Sequence, residues 1–388
     1  LEAGLHDGHF PVRWMRDANY GFGYPFYNYY APLSIYIAAL FRFLGFSFVR
    51  SIEAAQVIGF LVAALGIYLL ARRWYRHEWA ALLASVAYTT APFHLVNVYS
   101  RGDSLAEFWA MAIYPLTFLA ADQLVRFIRD RADAGDRPAI KIRKLKIVAL
   151  ALAYGALILS HNISALIISP FLLLFLIISL MDDHPGVRSE PVRLSERLAD
   201  LRWPLLALIL GLALAAWFWL PALAERSLAQ LEPVTSGYFH YSNHFRGLDL
   251  IQNNFLFDYS VGGGRAFRLG LIQAIFTFLG VLVLIVAAYR RWSISQAAAV
   301  FIMLSLAVAT IMITPLSRIL WDHLPLLPFT QFPWRFLSVQ AFAAALATAA
   351  LALLPARRLL VPITAIVLIV TSLVGLRTNH LLLTDQDI

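Results

Sequence analysis

Long apolar runs recur along almost the whole of this 388-residue chain. A hydrocarbon layer about 30 Å thick is crossed by about 20 helical residues, because each residue adds 1.5 Å of rise. Hydrophobic residues make up 60% of the chain and charged residues 14%, a composition typical of an integral membrane protein. The runs are unbroken blocks of Leu, Ala, Ile and Val, so they predict helices, which satisfy their own backbone hydrogen bonds in lipid.

The distribution of Lys and Arg predicts which loops face the cytoplasm. These residues cluster in five loops between the runs, at 72–77, 126–146, 188–202, 290–291 and 357–358. The positive-inside rule places such loops on the cytoplasmic side. The same clustering accounts for the formal net charge of +8, so we expect no nucleic-acid partner.

The apolar stretch 32–46 does not fit this pattern as a span. Counting it as one would move the basic loop 72–77 to the outside, and Arg42 in its middle would cost about 3 kcal/mol in mid-membrane. We therefore expect an interfacial helix over 32–46. Residues 1–388 are then expected to form a single all-α, polytopic domain with about ten transmembrane helices. The predicted spans are 52–71, 78–98, 105–125, 147–160, 164–181, 203–221, 269–289, 294–313, 334–354 and 358–376.

If successive loops alternate between the two sides of the membrane, three long loops lie on the outer face, at 1–51, 222–268 and 314–333. The prolines and aromatics of PLLPFTQFPWRFL, 325–337, predict a partly re-entrant loop that is covered by protein. We therefore expect a protein integral to the cytoplasmic (plasma) membrane with its functional surface outside. Because the alternation requires a span before Leu1 and the chain stops soon after its last run, we expect truncation at both ends.

The first outer loop, 7–32, combines charges with glycines, prolines and aromatics. Asp7, Arg16 and Asp17 lie in this shaped segment. A carboxylate at the membrane surface can act as a general base on a lipid-linked substrate. The alternative is an aromatic belt with incidental charges. We predict that Asp17, or Asp7, is catalytic and that Arg16 binds substrate.

The short loop YSRGDSLAEFWA, 99–110, contributes a second group of charges. Asp103 and Glu107 lie four residues apart, near one face of the following helix. Ser104 and Glu107 also fit a capping box, which would give these residues a purely structural role. A capping box does not explain Arg101, whose guanidinium is suited to phosphate.

Two further loops supply polar side chains on the same predicted face. His161 and Asn162 occupy a tight turn between two apolar runs, where His161 could bind a metal or phosphate or be structural. Gln331, Trp334 and Arg335 lie in the predicted re-entrant loop and are expected to face a cavity; an interfacial anchor is the alternative. Besides Arg16, the residues predicted to contact substrate or phosphate are Arg101, Asp103, Glu107, His161, Asn162, Gln331 and Arg335.

A divalent cation such as Mg or Mn is a further expectation for this site. Its candidate ligands are Asp103, Glu107 and His161, since carboxylate oxygens and imidazole nitrogens ligate divalent ions. The chain has no Cys, which excludes thiolate metal sites and cysteine nucleophiles.

Five segments carry a resemblance to a known family: PVRWMRDANYGFGYPFYNYYAPLSIYIAALF at 11–41, YTTAPFHLVNVYSRGDSLAEFWAMAIYPL at 88–116, LSHNISAL at 159–166, WFWLPALAE at 217–225 and QFPWRFL at 331–337. With these segments the sequence resembles the bacterial membrane-protein family labelled 6-pyruvoyl-tetrahydropterin synthase-related. The soluble pterin enzyme in that label is an α/β protein with a zinc–histidine site and a catalytic Cys. Because this chain has no Cys and no strand pattern, we do not expect a pterin synthase.

The family in turn looks like a distant relative of C-type glycosyltransferases, which use polyprenyl-phosphate sugars. In those enzymes the first outer loop carries an acidic catalytic residue and interfacial helices, and a later outer loop adds another acidic residue. Asp17 or Asp7, the stretch 32–46 and Asp103 with Glu107 fall in corresponding places. The sequence departs from that pattern in having no clean Asp-x-Asp pair, which puts metal dependence in doubt.

The leading functional hypothesis is an inverting transfer of sugar from a polyprenyl-phosphate donor to an unidentified acceptor on the outer face. The expected partners are membrane lipids, the polyprenyl-phosphate-linked sugar and that acceptor. A transporter or flippase for lipid or polysaccharide is the main alternative, although it would need ionisable residues deep within the spans. A noncatalytic membrane scaffold subunit is the third.

Overall fold

The computed structural model describes residues 1–102, 104–130, 137–182, 194–229, 233 and 235–376. Over these residues the protein is all-α, and its only β pairing is two isolated bridges. The helices in chain order are α1 (Glu2–His6), α2 (Phe26–Tyr29), α3 (Leu33–Phe43), α4 (Phe48–Tyr75), α5 (Glu78–Thr89), α6 (Pro92–Tyr99), α7 (Leu105–Asp130), α8 (Arg137–Ser160), α9 (Asn162–Met181), α10 (Leu194–Asp200), α11 (Arg202–Leu214), α12 (Ala216–Ala224), α13 (Leu271–Tyr289), α14 (Gln296–Ile313), α15 (Arg318–His323), α16 (Leu337–Ala349) and α17 (Arg357–Leu373).

Short 3₁₀ helices fill several of the connections. They lie at Arg226–Leu228, Gly237–Phe239, Tyr241–Asn243, Gly262–Gly264, Pro315–Ser317, Leu327–Thr330, Pro333–Phe336 and Ala350–Leu353.

In the described part of the chain, seven helical segments are long and apolar enough to cross a membrane, or eight if one bent pair counts as a span. These segments confirm the predicted polytopic helical fold. The predicted spans 147–160 and 358–376 correspond to α8 and to the 17-residue α17. At 11 residues α3 is about 16 Å long, too short to cross, as expected for the stretch 32–46.

One predicted span, 203–221, differs from expectation because it is not straight. The helices on either side of Ala215 are bent by 67° from each other. The bend removes helical hydrogen bonds, and the indole of Trp219 donates to the carbonyl of Leu212 at 2.8 Å. After the bend, α12 packs against α2, which lies in the loop 7–32.

The centre of the bundle is the segment Pro333–Leu353, of which 94% is buried. Its α16 packs against α5, α13 and α14, and α7 packs against α4, α8 and α9. Small residues make this close packing possible, as in many membrane bundles. A Cβ at Gly280 of α13 would lie 2.1 Å from the carbonyl oxygen of Ala347, so only glycine fits there.

A proline within α7 illustrates how the bundle keeps its buried backbone satisfied. Pro115 has no N–H, so the carbonyl of Met111 loses its helical partner. The hydroxyl of Tyr88 on α5 donates to that carbonyl at 2.6 Å. The proline therefore ties α5 to α7, the helix that carries Glu107.

Candidate active site

The first cluster of the site lies where α7 begins. Glu107 is in the first turn of α7 and is 2% exposed. The Nη1 of Arg101, in the loop before α7, donates to Glu107 Oε2 at 2.7 Å and to Asn97 Oδ1 at 2.9 Å. The backbone N–H of Ser104 donates to the Arg101 carbonyl at 2.8 Å instead of being capped by Glu107. The carboxylate is therefore an ion-pair partner rather than half of a capping box.

The second oxygen of this carboxylate, Glu107 Oε1, is buried, and no group in the described part of the chain donates a hydrogen bond to it. Buried polar atoms are nearly always satisfied, so an exception requires an explanation. This oxygen is therefore a candidate acceptor for a ligand group.

His161 forms the whole connection between α8 and α9 and caps α9. Its Nδ1 accepts a hydrogen bond from the Ser164 backbone N–H at 3.2 Å, so the neutral ring carries its proton on Nε2. Burial lowers the pKa of His161 to about 4, while the charges of Glu107, Arg335 and Arg101 also act on it. The ring is therefore a neutral hydrogen-bond donor at pH 7, within the electrostatic field of the other three residues.

Arg335 reaches the same cluster from the 3₁₀ helix Pro333–Phe336 and is 7% exposed. The ring of its neighbour Trp334 lies against the Arg101 guanidinium, with 5.1 Å between the ring centroid and Arg101 Cζ. The same ring stacks on Phe267, with 4.1 Å between the two ring centroids. Cation–π contact and stacking hold the arginine in place. Gln331 takes up the preceding turn with a φ of 62°, a left-handed conformation that is uncommon outside glycine.

An apolar groove of about 540 Å³ shares two elements with this cluster, although none of the four cluster residues lines it. Leu166 and Phe171 of α9 and Met312 of α14 contribute walls, and Thr330 and Phe336 on either side of Arg335 line it as well. The helix α9 begins beside His161. The groove is therefore lined by α9, which His161 caps, and by the 3₁₀ helix that carries Arg335.

The loop 7–32 forms a separate charged group. Arg16 bridges two carboxylates, donating from Nη1 to Asp7 at 2.5 Å and from Nε to Asp17 at 3.2 Å. The Asp17 side chain is 82% exposed. All three line a cavity of about 600 Å³ together with Arg13. The cavity therefore offers carboxylates that a hydroxylated molecule can reach from solvent.

A partly buried chain of polar contacts anchors this loop, and the sequence-based predictions did not include it. Arg13 donates to Asn28 Oδ1 at 3.0 Å and to the Trp217 carbonyl at 2.6 Å, and Asn28 donates to Glu225 at 2.7 Å. Pro221 leaves the Trp217 carbonyl without its helical donor, which is the one sequence signal for this contact. The chain fixes the loop against α12.

The structure therefore brings together Arg101, Glu107, His161 and Arg335, and separately Asp7, Arg16 and Asp17. The helix α3 connects the two groups: Tyr36 accepts from the Val12 N–H at 3.0 Å, and α3 packs against α7 and α8.

Asn162 is exposed at the start of α9. Asp103 lies outside the described residues. Within those residues no group of three His, Asp or Glu side chains is placed to hold a metal ion.

The bundle and its apolar spans define a polytopic helical membrane protein. Residues 27–380 match the family described as "6-pyruvoyl-tetrahydropterin synthase related domain; membrane protein", and the chain belongs to this family. Comparison with curated proteins found no match.

Among solved structures the chain is similar to the Archaeoglobus fulgidus oligosaccharyltransferase, whose crystal structure is a complex with Zn and sulfate. The two share 16% sequence identity with a TM-score of 0.44, over 98% of this chain and 48% of that one. The chain thus spans about half the length of that structure.

Proposed function

We propose that the protein is a membrane glycosyltransferase that moves a sugar from a polyprenyl-phosphate donor to an acceptor on the non-cytoplasmic face. The carrying observation is that the mostly buried Arg101, Glu107, His161 and Arg335 cluster shares two elements with the apolar groove: His161 caps α9, which lines the groove, and Arg335 lies in the same 3₁₀ helix as the groove residue Phe336. A ligand that matches both has an anionic group at one end and a hydrocarbon chain at the other. A lipid phosphate has this chemistry.

The charge balance of the cluster supports phosphate as the anionic group. Arg101 and Arg335 both act on the Glu107 carboxylate, so these three side chains together carry one positive charge. Arginine donates paired hydrogen bonds to phosphate oxygens, and preorganised cations stabilise a leaving group that gains negative charge. His161 would add a neutral donor through Nε2. Glu107 would act as a positioning residue that orients Arg101.

The carboxylates of the first-loop cavity would supply the base. In the proposed step, Asp17, or Asp7 in its place, accepts the proton of the acceptor hydroxyl. The hydroxyl oxygen attacks the anomeric carbon as the bond from that carbon to the phosphate oxygen breaks. The electron pair leaves with the lipid phosphate, and the anomeric configuration inverts. Arg16, which binds both carboxylates, would position them and contact substrate.

The described residues fit a divalent cation poorly. His161 could coordinate only through Nε2, after losing the proton that its bond to Ser164 places there. The guanidiniums of Arg101 and Arg335 already supply positive charge next to Glu107. No step of the proposed reaction therefore passes through a metal. Activity that is lost in EDTA and restored by Mg or Mn would bring back the predicted cation site, with Asp103 as a further ligand.

Transfer is tested with the purified protein in lipid nanodiscs, supplied with a radiolabelled polyprenyl-phosphate sugar and an acceptor mixture. We expect Asp17→Asn to reduce transfer at least 100-fold, because the base is removed with little change in shape. Glu53→Gln is the matched control, since Glu53 is half exposed and paired with Arg50 away from the cavity.

Unchanged transfer in both Asp17→Asn and Asp7→Asn would refute the assigned base. Absence of transfer by the wild-type protein, together with lipid flux in proteoliposomes, would favour the transporter alternative.

A further inference from the structure

A small polar pocket lies in the long connection between α12 and α13. Its volume is about 290 Å³, and its lining residues are Gln252, Asn253, Asn254, Arg265 and Arg268. Every one of these side chains can form hydrogen bonds, and none is apolar. Such a lining cannot bury a hydrocarbon chain favourably, and it suits a ligand rich in hydroxyls or negative charge.

The floor of this pocket is rigid. Gln252 is 4% exposed, and its amide donates to the carbonyls of Asp258 at 2.9 Å and Arg265 at 2.8 Å. Its Oε1 accepts from the Asp258 N–H at 2.9 Å. The Gln252 side chain therefore uses its hydrogen bonds to join the segment around Asp258 to the segment around Arg265. Ligand contact is left to the other four side chains.

Those four side chains differ in how many hydrogen bonds and ion pairs they form within the protein. Asn253 and Asn254 are exposed, and among the described residues no partner binds their amides. Arg268 donates to Asp249 at 2.8 Å, while its buried Nε has no hydrogen-bond partner in the described part of the chain. Arg265 is 61% exposed and pairs with Asp258 at 3.0 Å.

The charges around the pocket leave an excess of arginine. Arg246 approaches Asp249 at 3.9 Å from behind, so three arginines face the two carboxylates of Asp249 and Asp258. One positive charge is therefore not compensated locally. An anionic group is favoured in the pocket, and a guanidinium matches the planar, two-oxygen geometry of a carboxylate.

The pocket belongs to the same end of the bundle as the phosphate-binding cluster. Phe267, one residue before Arg268, stacks on Trp334, which in turn supports Arg101. The hydroxyl of Ser100 donates to the Tyr259 carbonyl at 3.1 Å. A molecule held in the pocket is thus bound by the loop that packs over the proposed site.

We propose that this pocket binds the acceptor and that the acceptor is a glycan carrying a carboxylate. The arginines would bind the carboxylate and the asparagine amides the sugar hydroxyls. The assignment of an acceptor rests on the proposed glycosyl transfer, whereas the binding of an acidic glycan does not.

The test measures binding of oligogalacturonate to the purified full chain in nanodiscs by calorimetry. Malto-oligosaccharide of equal length serves as the neutral probe, and inorganic phosphate as the small anion. We expect oligogalacturonate to bind at least tenfold more tightly than either. Arg268→Gln should weaken that binding about tenfold, which is the usual effect of losing one charged hydrogen bond.

Two further variants make the result decisive. Asn253→Ala combined with Asn254→Ala changes exposed side chains only, so the variant should fold even if Arg268→Gln does not. Arg318→Gln is the control, because Arg318 is 67% exposed and lies outside the pocket. Equal binding of the neutral probe, or full binding by the double variant, would overturn the proposal.

The same measurements separate the pocket from the proposed function. If the pocket variants weaken oligogalacturonate binding but the protein transfers no sugar, the acidic-glycan pocket is supported and the glycosyltransferase proposal is refuted. Transfer that survives both pocket changes would support the glycosyltransferase and refute the assignment of this pocket as its acceptor site.

Discussion

The helix α7 carries one buried carboxylate near each end, and the two have different surroundings. Asp122 accepts from Arg73, from the Trp74 indole at 3.2 Å and from Arg126 at 3.0 Å, so both of its oxygens are engaged. Glu107, roughly 22 Å away along the helix axis, accepts from Arg101 at one oxygen only. Both residues are almost fully buried.

This difference separates a structural network from a candidate binding site. A buried network in which every atom is satisfied specifies the packing of its helices. A network with one acceptor that no described residue satisfies, beside two arginines, is a candidate for binding a ligand. The basic partners of Asp122 lie at the predicted cytoplasmic end, and the partners of Glu107 at the predicted outer end.

The largest effect is expected on stability, at Asp122, where both carboxylate oxygens accept hydrogen bonds. Asp122→Ala should lower the free energy of unfolding by about 3 to 5 kcal/mol, because Arg73 and Arg126 would lose their shared carboxylate. Thermal unfolding in detergent micelles measures the loss. An unchanged midpoint would mean that the network does not stabilise the bundle, and the comparison between the two ends would fail.

A smaller effect, on transfer activity, is expected in the cluster around Glu107. Arg335→Gln should reduce sugar transfer about 100-fold, about 3 kcal/mol, because a preorganised cation for the leaving phosphate is removed. Arg126→Gln is the matched control, since it removes a partly buried arginine beside Asp122. Transfer per folded molecule should be unaffected by the control. Equal losses in the two variants would show that Arg335 acts only through stability.

The smallest effect concerns His161, which is both a helix cap and a candidate phosphate donor. Its pKa is about 4 in the folded protein against about 6.5 when unfolded, so the unfolded state binds its proton first as the pH falls. Stability should therefore be complete above pH 6.5 and decline towards pH 4, by about 2 kcal/mol for this partly exposed ring.

The variant His161→Asn separates the two roles of that histidine. Asparagine retains an oxygen that can cap α9, so the unfolding midpoint at pH 7 should change little. The decline in stability between pH 6.5 and 4 should disappear, and transfer should fall about tenfold because the Nε2 donor is lost. A variant that transfers normally would leave His161 with the structural role alone.

Much of the architecture could be predicted because lipid imposes length and composition on each element. The spans 52–71, 105–125 and 269–289 correspond to α4, α7 and α13, and Arg42 correctly indicated that 32–46 does not cross. The 67° bend at Ala215 was not predicted, since WFWLPALAE is as apolar as a straight span. The bend depends on contacts with a distant loop that hydropathy does not report.

By itself the sequence determined the class of the protein, the helical spans and the set of polar residues available to a site. Apolar length and the placement of arginine are local properties, and the bilayer acts on each span separately. Only the tertiary structure decided that Arg101, Glu107, His161 and Arg335 form one cluster while Asp7, Arg16 and Asp17 form another. It also decided that Arg13, Asn28 and Glu225 form a chain. The physical reason is that these contacts join residues far apart in sequence, and helix packing alone sets their distances.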